Sequence, residues 1–268
     1  MREKIGVVCC GGGGAGVLQA GMLKALPHVD VLSGASVGAL NATMYAQGDV
    51  DTLCDLWTSL RRKDVYRWGL WNLFNRKSFT NVTPLYNVIN RYVNIDKLQH
   101  RVYILATDSI TGEAVWASNE TEGYVDVLKG SCAIPIVFPE VKYRDTFLMD
   151  GGVYDNSPMW PLIKEGCTKI YILHAHPVKE VQRRQEALHR RNAIFNTINI
   201  LFQANQHSDR ALAEYINRRV REGSDVFHRE IQFIDIYPEI SVGTLEFNPK
   251  LAPYRMAHGA AQLRKSLT

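Results

Sequence analysis

Residues 5–47 open with Ile5-Gly6-Val7-Val8-Cys9-Cys10 and break at Gly11-Gly12-Gly13-Gly14-Ala15-Gly16. They continue through Val17–Leu26 and pass from Val29–Leu32 through Gly34-Ala35-Ser36-Val37-Gly38 into Val37–Gln47. The first run is apolar throughout, as a strand covered on both faces requires. The glycines end it, and Val17–Leu26 then reads as a helix stopped near Pro27. Val29–Leu32 is a second short strand and Val37–Gln47 a second helix. This succession of strand, turn and helix predicts the α/β class, a parallel sheet with helices on its faces.

The rest of the chain extends that pattern. Asp51–Arg62 and Pro84–Tyr92 read as helices, and Val102–Ala106, Ala114–Ala117, Phe147–Met149 and Lys169–Leu173 as strands. Gln182–Arg221 is helical in pattern, with apolar residues recurring from Leu188 to Ile216. Ile231–Tyr237 alternates as a late strand and Tyr254–Leu267 is a closing helix. No linker, repeat or low-complexity segment interrupts, so residues 1–268 are expected to form one domain.

Composition narrows the function. Of 268 residues 46% are hydrophobic and 22% charged, which suits a globular chain and excludes disorder. The net charge of +4 is too small for the clustered excess of a nucleic-acid binder. Five cysteines, Cys9, Cys10, Cys54, Cys132 and Cys167, have neither zinc nor disulfide-framework spacing and read as reduced thiols. No apolar run approaches roughly 18 residues, and Ile5–Cys10 is too short for a signal peptide. These features together predict a cytoplasmic protein, free or peripheral at the inner membrane surface.

Three motifs carry chemistry. Gly34-Ala35-Ser36-Val37-Gly38 is G-x-S-x-G between a strand and a helix, the context in which a serine oxygen stands clear of the backbone as a nucleophile. Alone it also fits a plain glycine turn capped by Ser36. Gly11–Gly14 can aim several N–H groups at one negative charge, helped by the following helix N-terminus. That charge is a tetrahedral oxyanion in acyl transfer, or a phosphate in a nucleotide-binding module. Gly11, Gly13 and Gly16 do match G-x-G-x-x-G, but no acidic residue follows at a strand end about 20 residues on, and Asp30 comes too early. Asp150-Gly151-Gly152 ends the strand Phe147–Met149, where open α/β sheets bind ligands, though Asp-Gly alone reads as a turn.

The order of the three, with further stretches, resembles the patatin-like phospholipase family. Gly16–Leu26, with Gly21-Met22-Leu23-Lys24-Ala25-Leu26, looks like its first helix and Gly38-Ala39-Leu40-Asn41-Ala42 like the helix after its nucleophile. Ser131–Pro139 is similar to its A-S-x-A-x-P-x-x-F-x-P segment, and Asp150–Pro158 resembles its D-G-G-x-x-x-N-x-P run. The resemblance covers roughly residues 5–175. It implies a three-layer α/β/α sandwich around a central, mostly parallel sheet and a Ser36–Asp150 dyad, with Ser36 as nucleophile, Asp150 as general base, and an oxyanion hole from Gly11, Gly12, Gly13 and Gly14. It implies hydrolysis of fatty-acyl esters of phospholipids or lysophospholipids, with no cofactor and no metal. A general lipid esterase or acyltransferase on the same dyad is the alternative. Ala15 stands where the family often has a basic residue, and backbone donors do not depend on that side chain.

Several features remain open. His174 and His176 follow Lys169–Leu173, and Ser, Asp, His order would make His174 a third catalytic member or a plain strand-end histidine. Tyr66–Phe79 mixes Tyr, Trp and Phe with Arg67, Arg76 and Lys77 and reads equally as a lid, a lipid-facing patch or core. Arg183, Arg184, Arg190, Arg191, Arg218, Arg219 and Arg221 read as a solvated helix face. The expected partner is membrane phospholipid by transient peripheral contact, with no nucleic acid. A protein activator, homo-oligomerisation or membrane contact is expected to gate activity.

Overall fold

The computed structural model describes residues 2–68, 80–178, 200, 208–223 and 229–267. Strand β1 (Ile5–Cys9) leads through the glycine loop into α1 (Gly16–Ala25), and β2 (Val31–Ala35) leads through Ser36 into α2 (Val37–Ala46). Then come α3 (Val50–Ser59), α4 (Arg62–Val65), the short pair β3 (Arg67–Trp68) and β4 (Thr80–Asn81), and α5 (Thr83–Tyr92). The middle of the chain supplies β5 (Arg101–Asp108), β6 (Ala114–Ser118), α6 (Tyr124–Ser131), β7 (Val141–Tyr143) and β8 (Thr146–Asp150). It closes with α7 (Trp160–Lys164), β9 (Lys169–Leu173), α8 (Ser208–Arg221), β10 (Gln232–Ile236) and α9 (Ala252–Leu267).

The eight-stranded sheet has the order β10-β9-β1-β2-β5-β8-β7, with β6 also paired to β5. The five strands from β10 to β5 are parallel, while β6, β7 and β8 pair antiparallel. This is the expected mostly parallel α/β sheet between helical layers. Alternation along β1 explains its continuous apolar run. Val7 and Cys9 enter the larger core with α1, α2 and α3, while Val8 and Cys10 enter the smaller one with Leu162 of α7 and Ala213 and Ile216 of α8.

Three local expectations change. The helix read over Asp51–Arg62 breaks at Leu60, whose backbone is extended, and resumes as α4. The strand read over Phe147–Met149 runs from Thr146 to Asp150 and is antiparallel to β5. Of Gln182–Arg221, the described part is the helix Ser208–Arg221, and Arg183, Arg184, Arg190 and Arg191 lie outside the described residues. Residues 69–79 of the aromatic stretch also lie outside them. Tyr66 itself is buried against Phe138, so this end of the stretch belongs to the core.

Candidate active site

Ser36 sits between β2 and α2 with φ 57° and ψ −134°, a left-handed backbone that serine rarely adopts. The flanking glycines make this turn possible. A Cβ on Gly34 would fall 2.6 Å from the Gly38 carbonyl carbon, and one on Gly38 would fall 2.0 Å from the Cys9 oxygen. Ser131, on α6, holds the strained residue: its Oγ accepts the Ser36 N–H at 2.9 Å and donates to the Leu105 carbonyl at 2.5 Å. Cys132 Sγ donates to the Ser36 carbonyl at 3.4 Å.

Register brings the acid to the serine. Ala35 pairs with Leu105, and Ala106, one residue further along β5, pairs with Asp150. Asp150 reaches the carboxyl edge of the parallel strands because β8 enters that edge antiparallel. Ser36 Oγ donates to Asp150 Oδ2 at 2.7 Å, and the Gly152 N–H donates to Oδ1 at 2.9 Å. Asp150 is fully buried and Ser36 is 2% exposed. Burial pushes the Asp150 carboxyl up to about 7, against the lowering effect of the two hydrogen bonds it accepts. No cation pairs with it among the described residues.

The glycine loop lies beside this pair. Gly11 N–H donates to the Asn156 carbonyl at 3.4 Å, and Asn156 Nδ2 returns a bond to the Gly11 carbonyl at 3.3 Å. Asn156 Oδ1 is buried with no partner among the described residues. Gly14 N–H donates to the Thr244 carbonyl at 2.7 Å. Gly13 has φ +56°, and a Cβ there would stand 2.2 Å from the Thr244 oxygen. Two of the four expected donors are therefore engaged, which leaves the N–H groups of Gly12 and Gly13 without a protein partner among the described residues. Ala15 is fully buried.

From Ser36 and Gly13 a narrow apolar pocket runs between Leu40, Trp57, Leu85, Ile134, Phe138 and Phe247, with a volume of about 40 Å³. Phe247 stacks on Trp57 with ring centroids 6.3 Å apart. The stretch 244–247 thus forms one wall of the site, and Glu246 in it pairs with Arg255 of α9. Sequence reading missed this wall, which has no local signature, and gave Ser131 no role although it opens the Ser131–Pro139 segment.

His174 is elsewhere. Its Nε2 bonds Asp235 Oδ1 at 2.9 Å, its ring stacks on Tyr237 at 3.8 Å, and its Nδ1 lies 3.9 Å from Cys10 Sγ. Among the described residues neither Ser36 nor Asp150 bonds a histidine, and His174 is not joined to the pair. His176 lies by Gly12, where an added Cβ would come 3.1 Å from its Nε2.

Among solved structures the chain is similar to VipD of Legionella pneumophila, with a TM-score of 0.54 at 15% identity over 100% of this chain and 67% of that one. At that identity the likeness concerns the fold. Among curated proteins it is similar to lysophospholipase NTE1 of Kluyveromyces lactis, 23% identical over 66% of this chain, and to that of Cryptococcus neoformans, 26% identical over 68%. The chain spans only 13% and 12% of the length of those proteins. An uncharacterised NTE family protein of Mycobacterium tuberculosis is 26% identical over 56% of this chain and 43% of its own length. The patatin-like phospholipase family model matches residues 7–163, which include both Ser36 and Asp150 and more than half of the sequence, and the chain belongs to that family of carboxylic ester hydrolases.

Proposed function

We propose that this chain is a serine acyl hydrolase that cleaves fatty-acyl esters of phospholipids or lysophospholipids through the Ser36–Asp150 dyad. The observation that carries this reading is the 2.7 Å bond between Ser36 Oγ and Asp150 Oδ2. Ser36 Oγ attacks the ester carbonyl while Asp150 takes its proton. The Gly12 and Gly13 N–H groups receive the oxyanion. Asp150 returns the proton to the leaving alcohol oxygen as the ester bond breaks. Water then attacks the acyl-serine with Asp150 accepting its proton, and Asp150 returns that proton to Ser36 Oγ as the acyl–oxygen bond breaks and the fatty acid leaves. A carboxylate near pH 7 is a weak base for an alcohol, so fixed geometry carries much of the rate.

The apolar pocket supports an acyl chain as the group recognised. At its present width a long chain enters only as wall side chains move. The two lysophospholipase relatives support the lipid class. Contact with the bilayer is peripheral in this reading, since among the described residues no helix is long and apolar enough to cross a membrane. A nucleotide in the glycine loop fits poorly. The Asn156 carbonyl takes the Gly11 N–H and the Thr244 carbonyl the Gly14 N–H, so two of the four donors that would cradle a phosphate are already engaged.

The test is fatty-acid release from phospholipid vesicles and lysophospholipid micelles, with glycerol added to detect acyl transfer. Wild type is expected to release fatty acid, and Ser36→Ala and Asp150→Ala to lose at least about 10³-fold. Equal release by Ser36→Ala and wild type would refute the reading.

A further inference from the structure

Three buried polar side chains form a chain that the reaction above does not use. Trp57 Nε1, on α3, donates to Asn41 Oδ1 at 3.1 Å. Asn41 Nδ2, on α2, donates to the Gly16 carbonyl at 2.9 Å and to Gln19 Oε1 at 3.0 Å. Gln19 Nε2, on α1, donates to the carbonyls of Cys10 at 2.6 Å and Leu173 at 2.9 Å. Gln19 and Asn41 are fully buried and Trp57 is 5% exposed.

The direction of this chain is set at one end. An indole N–H only donates, so Trp57 fixes the oxygen of Asn41 toward itself and both Asn41 hydrogens toward Gly16 and Gln19. That in turn fixes the Gln19 oxygen toward Asn41 and both Gln19 hydrogens toward two main-chain carbonyls. Turning either amide over would set oxygen against oxygen in a space without water.

The endpoints give the chain its meaning. Cys10 immediately precedes the glycine loop and Gly16 immediately follows Ala15, so two of the three carbonyls held are the two roots of Gly11–Ala15, the third being Leu173 on the neighbouring strand β9. Asn41 lies on the helix that Ser36 opens. Packing alone at this junction would be served by apolar side chains of similar volume, without the cost of burying two amides.

We propose that Trp57, Asn41 and Gln19 are positioning residues that hold the Gly12 and Gly13 donors in register with Ser36. The proposal rests on the serine hydrolase reading, and its test separates the two. The key variant is Trp57→Phe, which keeps an aromatic ring beside Phe247 but removes the N–H. Wild type and variant are compared in hydrolysis of 4-nitrophenyl butyrate and in the rate of labelling by a fluorophosphonate, with the melting temperature followed alongside.

The expected result is a kcat about 10-fold lower with KM within about 2-fold, and a labelling rate lowered in parallel. Asn41→Leu is expected to lose at least as much, and the double variant to lose no more than Asn41→Leu alone. Trp57→Phe decides the matter by itself if Asn41→Leu does not fold. Unchanged kcat and labelling with a lower melting temperature would assign the chain to stability alone and overturn the proposal. A change confined to KM would assign Trp57 to the pocket wall and also overturn it, as would additive losses in the double variant. Wild type that neither hydrolyses the ester nor labels would instead overturn the serine hydrolase reading.

Discussion

Two aspartates stand near the ends of two strands of one sheet, in opposite electrical circumstances. Asp150 is sealed from solvent, accepts bonds from a serine hydroxyl and one N–H, and has no cation beside it among the described residues. Its carboxyl is pushed up to about 7. Asp235, at the far parallel edge, is also raised by burial, but hydrogen bonds and charge from His174 and Arg210 outweigh that and hold it below the usual carboxylate range. The sheet supplies each with a similar place, and the neighbours decide whether the carboxylate can exchange a proton near neutral pH. An acid clamped by arginine stays charged as a strut, and an acid buried without a cation can exchange its proton near neutral pH.

The sharpest way to break this contrast is through stability. Asp150 binds its proton more tightly folded than unfolded, so its contribution to stability is fully present below about pH 4 and is lost as pH rises through about 7. At about 1.4 kcal/mol per unit of pH, between 3.8 and about 7, holding the charged form costs up to roughly 4 kcal/mol. Asp150→Asn is therefore expected to be more stable than wild type at pH 8, by as much as that figure, while catalysis is lost. Denaturant melts at pH 4, 6 and 8 should show the advantage shrinking toward pH 4. A variant less stable than wild type at pH 8 would contradict the account.

Asp235→Asn should behave in the opposite sense. A depressed carboxyl stabilises above its unfolded value and loses that contribution as pH falls through the folded one. Loss of its bonds to His174 and Arg210 is expected to cost about 1.5–3 kcal/mol at pH 7, less at pH 3. Because this carboxylate touches neither Ser36 nor Asp150, the pH profile of kcat/KM should keep its rise through about pH 7, set by Asp150. A midpoint that moved by a full pH unit in Asp235→Asn would mean the two sites are coupled.

The smallest effect concerns the wall that the C-terminal stretch adds. Phe247→Ala removes the ring stacked on Trp57 and is expected to lower kcat/KM on a dodecanoyl ester by about 1–2 kcal/mol, roughly 5–30-fold, and on a butyryl ester by less. Equal losses on both chain lengths would place Phe247 outside acyl recognition.

Much of this was readable from the order of residues. A strand apolar at every position must be covered on both faces, so Ile5–Cys10 announced a central strand. Glycines on both sides of Ser36 announced a turn that no larger residue could make. The carboxylate at Asp150 was legible through its glycines and its motif, because close backbone packing leaves a mark in residue type. Local elements such as α6, α7 and β7 were not foreseen, since short half-buried segments lack a full period of pattern.

What sequence alone determined was the α/β class, the serine, the acid and the glycine loop, all encoded within a few neighbouring residues each. Tertiary structure alone decided that β8 runs antiparallel, so that Asp150 meets Ser36 at 2.7 Å. It also decided that Thr244 and Asn156 engage two of the four loop donors, that Ser131 braces Ser36, and that Phe247 walls the pocket. These are contacts between residues far apart in the chain. Their energies depend on which surfaces pack together, and no local pattern of residue types records that choice.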